Sequence, residues 1–151
     1  MGNHANKEFT PLRIAVLTVS DTRNDQTDTS GKYLVEALQE AGHRYEDKII
    51  VKDDISRDST PEAVIPLLDK TIEGFGELFR HLSYADIGTS TVQSRALAGL
   101  ANNTLIVCMP GSTGACDLAW KGILKEQLDS RHSPCNFVPH LAADAPCCDG
   151  K

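Results

Sequence analysis

Residues 104–120, TLIVCMPGSTGACDLAW, read as a strand, a tight turn and a helix. The apolar run 105–109 is typical of a strand buried on both faces of a parallel sheet, and a buried helix gives the same pattern. Pro110 and Gly111 end the run, and the hydroxyls of Ser112 and Thr113 are expected to cap the next helix. Free N–H groups at a helix start attract anions. This stretch is therefore either an ordinary capped junction or part of an anion site.

The length of the chain favours one globular domain, and its charge leaves a small anionic ligand open. The chain has 151 residues and a net charge of −6, with no cluster of basic residues. Such a chain is not expected to bind a nucleic acid polymer, which needs clustered Lys and Arg. It has no membrane-length apolar stretch and no apolar signal segment, so a cytoplasmic location is expected. We expect flexible ends at 1–10 and 142–151 and one domain over 11–141.

The cysteines indicate neither a disulfide framework nor a zinc site. The chain has five, Cys108, Cys116, Cys135, Cys147 and Cys148. An odd number without Cys-x-x-Cys spacing is most simply explained by reduced thiols.

The first third of the sequence predicts a strand, a helix and a parallel second strand. Residues 14–19, IAVLTV, form an apolar β-branched run that leads into a loop rich in Ser, Thr and Asp. Residues 28–31, DTSG, open a helix that Gly42 ends. The run 48–51, KIIV, is the second strand. Short β-α-β connections of this kind give parallel neighbours.

The middle of the chain is rich in helix-start and hydroxyl residues. Residues 56–63, SRDSTPEA, predict a helix that continues to about residue 70, with Pro66 inside it as a kink. Residues 73–76, EGFG, are read as a loop beside a pocket or as a plain connection. Residues 87–95, IGTSTVQSR, either hold a phosphate or cap a helix that carries a solvated or salt-bridged Arg95.

Seven segments occur in an order that resembles the molybdenum cofactor biosynthesis protein B family and its relatives, the molybdopterin adenylyltransferases. They are TVSDT, DTSG, RDSTPEAV, EGFGELFR, IGTSTVQSRALAG, MPGST and PCNFVPHL. The resemblance covers nearly all of residues 11–141. It implies an α/β fold of the molybdopterin-binding type, with three layers, α/β/α, and a mostly parallel sheet. It also implies a homotrimer or a hexamer, and possible contacts with other enzymes of the same pathway.

The resemblance implies transfer of the adenylyl group of ATP, with Mg²⁺, to the terminal phosphate of molybdopterin, with release of pyrophosphate. The alternative is a pterin-binding or scaffold protein that does not catalyse. Asp53 and Asp58 match the family's acids and are expected to be catalytic, with Asp58 as a metal ligand. Other matching residues are expected to bind the pterin or the nucleotide: Ser20, Asp21, Thr29, Ser30, Gly31, Thr60, Pro61, Glu62, Ser94, Arg95, Gly111 and Ser112.

The sequence departs from the family between Ile55 and Ser56. There the family carries a helix, a central strand and a Gly-Gly-Thr-Gly loop that this sequence lacks. The missing loop is a phosphate cradle in the family. The join is explained by a natural deletion, by an engineered removal, or by residues omitted from the numbering. Loss of a central strand is expected to expose apolar faces and backbone groups on its neighbours.

Overall fold

The computed structural model describes residues 8–52 and 60–141. The elements of the first part are β1 (Arg13–Val19), α1 (Thr29–Glu40) and β2 (Arg44–Val51). Those of the second part are α2 (Thr60–Val64), β3 (Lys70–Thr71), α3 (Glu73–Ile87), β4 (Leu97–Ala101), β5 (Thr104–Cys108), α4 (Thr113–Ala119), α5 (Lys125–Gln127) and α6 (Val138–Leu141).

The first three elements form the predicted parallel unit. β1 pairs in parallel with β2, with Thr18 beside Ile50 and Val19 beside Val51. α1 begins after Asp28 and ends before Gly42, which has a φ of 89°. Glycine adopts this left-handed conformation without the steric cost that a side chain brings. The β-α-β prediction is therefore confirmed.

The second sheet corrects the prediction for the apolar run 105–109. β5 pairs in antiparallel fashion with β4, which in turn pairs with β3. The turn between β4 and β5 consists of Asn102 and Asn103, both with positive φ, at 46° and 61°. Two such residues favour a tight hairpin, which places neighbouring strands antiparallel. The expectation of a parallel, fully buried strand was therefore wrong for β5, whose residues are partly or fully exposed.

Two helix predictions in the middle of the chain also change. α2 ends at Val64 and gives way to a 3-10 turn, Ile65–Leu67, because Pro66 cannot continue the α-helical hydrogen bonds. The EGFG segment is the first turn of α3 rather than a loop. At Gly76 a Cβ atom would lie 2.5 Å from the carbonyl oxygen of Ala96, so the missing side chain lets α3 approach the chain that leads into β4.

The helix after the opening turn is longer than α4 itself. A π-helical stretch, Trp120–Leu124, continues α4 into α5, so residues 113–127 form one helical run. Its buried face carries Trp120, Ile123 and Leu124, which join Phe75 and Phe79 of α3 in the main apolar cluster. The predicted helix around Trp120 is confirmed.

The described strands form two separate sheets, β1–β2 and β3–β4–β5. Leu17 and Ile49 are register partners in the first sheet and are 61% and 48% exposed. These two side chains form an apolar surface patch on the described part of the chain. The join between Ile55 and Ser56 lies outside the described residues, so its placement stays a prediction. No helix in the described part of the chain is long and apolar enough to cross a bilayer.

Candidate functional site

A buried carboxylate fixes the start of α1. Asp28 caps the helix: its Oδ1 accepts the Gly31 N–H at 3.0 Å, while its Oδ2 accepts the Thr18 hydroxyl at 2.8 Å. The Lys48 ammonium lies 3.0 Å from Oδ2. These contacts attach the helix start to β1 near its carboxyl end, through Thr18, and to the second half of β2, through Lys48. Ligands of open α/β sheets bind at that end of the strands.

The charge of Asp28 is stabilised by its neighbours. Burial alone would raise the pKa of Asp28, but hydrogen bonds from the Gly31 N–H, from Lys48 and from Thr18 outweigh that effect and lower it to about 2. The carboxylate is therefore ionised at neutral pH. It acts as a fixed charge rather than as a proton donor.

Arg23 connects the loop after β1 to α1. Its Nη1 donates to the hydroxyl of Ser30 and lies 3.5 Å from Asp28 Oδ1. The hydroxyl of Ser20 accepts the Arg23 N–H at 3.3 Å, and Asp21 is exposed in the same loop. The predicted residues Ser20, Ser30 and Gly31 therefore lie together around Asp28.

The start of α4 lies against the start of α1. The Ser112 hydroxyl accepts the Ala115 N–H at 3.2 Å, which confirms the predicted cap. The hydroxyls of Thr29 and Thr113, the first residues of the two helices, are 3.0 Å apart. A Cβ atom built on Gly111 would meet no other atom within 4 Å, so this loop borders open space. We call Thr29 and residues 111–113 the joined helix starts.

A second contact holds the same two helices together one turn later. The Tyr33 hydroxyl donates to Asp117 Oδ1, and the Lys121 ammonium lies 2.7 Å from the same oxygen. Burial, and then the Asp117 carboxylate, raise the pKa of Tyr33 to about 12. The tyrosine therefore stays protonated and donates this hydrogen bond at physiological pH. The relative position of α1 and α4 is thus set by side chains at two levels.

The remaining predicted residues form a second group around α2. Thr60, Pro61 and Glu62 lie in its first turn, and Glu62 forms an ion pair with Arg95. The hydrogen bond from Arg95 lowers the pKa of Glu62. The hydroxyl oxygen of Ser94 is buried and has no hydrogen-bond partner in the described structure. Buried polar atoms are normally paired, so this hydroxyl is suited to a ligand.

The two predicted acids, Asp53 and Asp58, lie outside the described residues. Within 8–52 and 60–141, no group of three or more His, Cys, Asp or Glu side chains could hold a metal ion. The assignment of Asp53 and Asp58 to metal and nucleotide stays a prediction.

Two surface grooves, of about 470 and 270 Å³, lie away from the predicted residues. They share Lys121 and Lys125, on the far half of the helical run that begins with α4. In the larger groove, Asp129 pairs with Arg131 at 2.8 Å and Glu126 lies 3.9 Å from His132, so both acids have partners within the groove. We therefore place the candidate site at the joined helix starts, where helix dipoles and open space coincide, rather than in these two grooves.

Sequence reasoning missed Lys48 and Arg23, named Thr113 only as a cap of α4, and assigned Asp28 only to the start of α1. The signal for Asp28 was present, because an Asp before Thr-Ser-Gly is a strong N-cap. The contact of Thr29 with Thr113 spans 84 positions, and no local pattern predicts it.

Comparisons with known proteins show which family this chain resembles. A family model described as a probable molybdopterin binding domain matches residues 55–130. Molybdenum cofactor biosynthesis protein B of Escherichia coli K12 is 51% identical, over 89% of this chain and 95% of that protein. Its counterpart in Staphylococcus aureus MRSA252 is 42% identical, over 85% of this chain and 95% of that protein.

A solved structure supports the fold class. The crystal structure of a molybdenum cofactor biosynthesis protein B aligns with a TM-score of 0.77 and 38% identity, covering 81% of this chain and 94% of that one. The predicted α/β molybdopterin-binding fold is confirmed. The alignment with the Escherichia coli protein runs over 162 positions, more than the 151 residues of the whole chain. That relative therefore carries internal residues that this chain lacks.

Proposed function

Because the chain belongs to the molybdenum cofactor biosynthesis protein B family, we propose that it binds molybdopterin at the joined helix starts. Its role in molybdenum cofactor biosynthesis follows from that membership. Molybdopterin is a small anionic pterin with a terminal phosphate, and we assign that phosphate to the space in front of Gly111 and Thr113.

The observation that carries this proposal is the 3.0 Å approach of the Thr29 and Thr113 hydroxyls. Each belongs to the first residue of a helical run, 29–40 and 113–127. The first N–H groups of a helix have no partner within it, and the helix dipole adds partial positive charge there. Two such ends side by side favour a phosphate more than one end does. The open space at Gly111 leaves room for it.

The reaction that we propose is adenylyl transfer. The terminal phosphate oxygen of molybdopterin attacks the α-phosphorus of ATP, a new P–O bond forms, and pyrophosphate leaves with the bond electrons. We assign Asp53 and Asp58 to nucleotide positioning, with Asp58 as a ligand of Mg²⁺, because carboxylate oxygens suit this ion. A bound Mg²⁺ ion would neutralise charge on the phosphates. The joined helix starts hold the attacking phosphate in place.

The test is release of pyrophosphate by the purified chain given molybdopterin, ATP and Mg²⁺. The natural chain should release pyrophosphate, whereas Asp53→Asn and Asp58→Asn should each lose most of this activity. The matched control is Asp86→Asn, a change to an exposed residue of α3. Activity that survives unchanged in both test variants would contradict the roles of these acids.

A second candidate function is pterin binding without catalysis. It is favoured by the 162-position alignment, which means that a close relative has internal residues that this chain lacks. If those residues include a phosphate-cradling loop, its absence from this chain would prevent ATP binding. The joined helix starts would remain intact. Calorimetry separates the two candidates: heat on adding molybdopterin, with none on adding ATP and Mg²⁺, supports the binding protein. Tight ATP binding supports the enzyme.

We also propose a homotrimer or a hexamer for this chain, and contacts with other enzymes of the pathway. Exposed Leu17 and Ile49 supply apolar surface that an assembly would bury. Sedimentation equilibrium should give a mass of three or six times 16.4 kDa. A monomer at micromolar concentration would contradict this assignment.

A further inference from the structure

We propose that Arg23 binds the terminal phosphate of the pterin, and so distinguishes phosphorylated from dephosphorylated ligands. This inference rests on the proposed function, because it assigns one residue to the ligand placed at the joined helix starts. Arg23 belongs to none of the matched ligand residues, and its position follows from contacts alone.

Two contacts hold the Arg23 guanidinium beside the start of α1, and a third holds its backbone. Its Nη1 donates to the Ser30 hydroxyl and lies 3.5 Å from Asp28 Oδ1, and its own backbone N–H donates to Ser20. The Asp28 side chain is completely buried, so its carboxylate holds the guanidinium from a fixed position. An arginine held in this way loses little side-chain freedom on binding a ligand.

The charge of Arg23 also reaches α4. Burial raises the pKa of Cys116 to about 11, and the positive charge of Arg23 acts against that rise. Cys116 lies in α4 with its thiol 3.7 Å from the carbonyl oxygen of Pro110, next to the open loop at Gly111. Asp28 acts on the same thiol in the opposite direction, so both charges lie within electrostatic range of the first turn of α4, while the guanidinium itself contacts the start of α1.

Some N–H donors of the Arg23 guanidinium have no partner among the described residues. Asp28 already has a closer cation, Lys48 at 3.0 Å, so it does not need Arg23 for charge balance. Among the described residues, only Nη1 of Arg23 takes part in a side-chain hydrogen bond or ion pair. The side chain is 29% exposed, so solvent and ligands can reach it. Arginine offers five N–H donors, and a phosphate can accept two of them in parallel.

The experiment measures two affinities for each variant by calorimetry, one for molybdopterin and one for molybdopterin dephosphorylated by a phosphatase. The natural chain should bind the phosphorylated form at least tenfold more tightly. Arg23→Gln should lose roughly tenfold to a hundredfold of affinity for the phosphorylated form and little for the other. Arg23→Lys should lose an intermediate amount, because lysine keeps the charge without the paired donors.

The control is Arg13→Gln, which removes an exposed arginine that pairs with Glu46 at 2.9 Å. Its ratio of the two affinities should equal that of the natural chain. The ratio does not depend on the folded fraction, so a destabilised Arg23→Gln still gives a result. An unchanged ratio in Arg23→Gln overturns this inference alone. Failure of the natural chain to bind either form overturns the proposed function and this inference together.

Discussion

The starts of α1 and α4 are neighbours with opposite surroundings. The cap of α1, Asp28, is buried and has partners on two strands and in a loop. The cap of α4, Ser112, is exposed, and its side chain makes one hydrogen bond, accepted from Ala115 of its own helix. Gly31 is in close contact with the Asp28 carboxylate, whereas Gly111 borders open space.

This difference separates scaffold from binding surface. Residues at the start of α1 are held by contacts with one another, so their changes should act mainly on stability. Residues at the start of α4 have few contacts to lose, so their changes should act mainly on ligand affinity. Four experiments sharpen or break this comparison.

The largest difference is expected between the two cap residues. Asp28→Asn removes the charge that faces Lys48 and Arg23, and loss of one partner of a buried pair costs about 3–5 kcal/mol of unfolding free energy. Ser112→Ala removes one exposed cap and should cost about 1 kcal/mol. Urea unfolding of both variants measures the two costs. Equal costs would break the comparison.

The same carboxylate predicts a dependence of stability on pH. The pKa of Asp28 is about 2 in the folded chain, below its ordinary value of 3.8. As the pH falls, Asp28 therefore binds a proton in the unfolded chain before it does so in the folded chain. The charge of Asp28 contributes about 2 kcal/mol of stability above about pH 5, and this contribution is lost as the pH falls through 4 towards 2. Unfolding free energies measured across this range should show the loss in the natural chain. Asp28→Asn should lack that part of the slope, and parallel curves would contradict the assignment.

The two glycines give a matched pair. A Cβ on Gly31 would lie 2.2 Å from Asp28 Oδ2, so Gly31→Ala should cost about 1–3 kcal/mol of stability by overpacking. Gly111→Ala meets no neighbour and should change stability by less than about 0.5 kcal/mol, while it weakens molybdopterin binding. Thermal unfolding and calorimetry measure the two effects. A stable Gly31→Ala with an unstable Gly111→Ala would reverse the comparison.

The smallest effect concerns the contact that joins the two helices. A double-mutant cycle of Thr29→Val and Thr113→Val should give a coupling energy of about 0.5 kcal/mol, because both hydroxyls are exposed. The cycle of Thr29→Val with Thr104→Val, at the start of β5, serves as the control and should give none. Zero coupling in the first cycle would mean that the helix starts are not joined in solution.

The sequence predicts the local elements of this fold better than their pairing. Ile14 to Val19 and the DTSG helix start follow from composition and capping, which are local properties. The antiparallel hairpin of β5 was missed because its apolar run resembles a parallel strand. The signal was Asn102–Asn103, since two adjacent asparagines can adopt the positive φ of a tight turn.

The candidate site was predicted only in part, for a similar reason. Ser112 and Gly111 stand out as a loop at a helix start, and Ser30 and Gly31 belong to a recognisable motif. Their approach to one another depends on packing of α1 against α4, through Thr29, Tyr33 and their partners. Contacts between residues 84 positions apart produce no periodic pattern in a single sequence, so the sequence alone does not predict them.

The measurement that tests the central claim most directly is a titration of the ¹⁵N-labelled chain with molybdopterin, followed through its amide resonances. The account predicts that the amides of Thr29, Gly31, Gly111, Ser112 and Thr113 shift together with one affinity, while those of Gly74 and Gly88 stay in place. Shifts confined to the groove around Lys121 and Lys125, or no saturable shifts at all, would contradict binding at the joined helix starts.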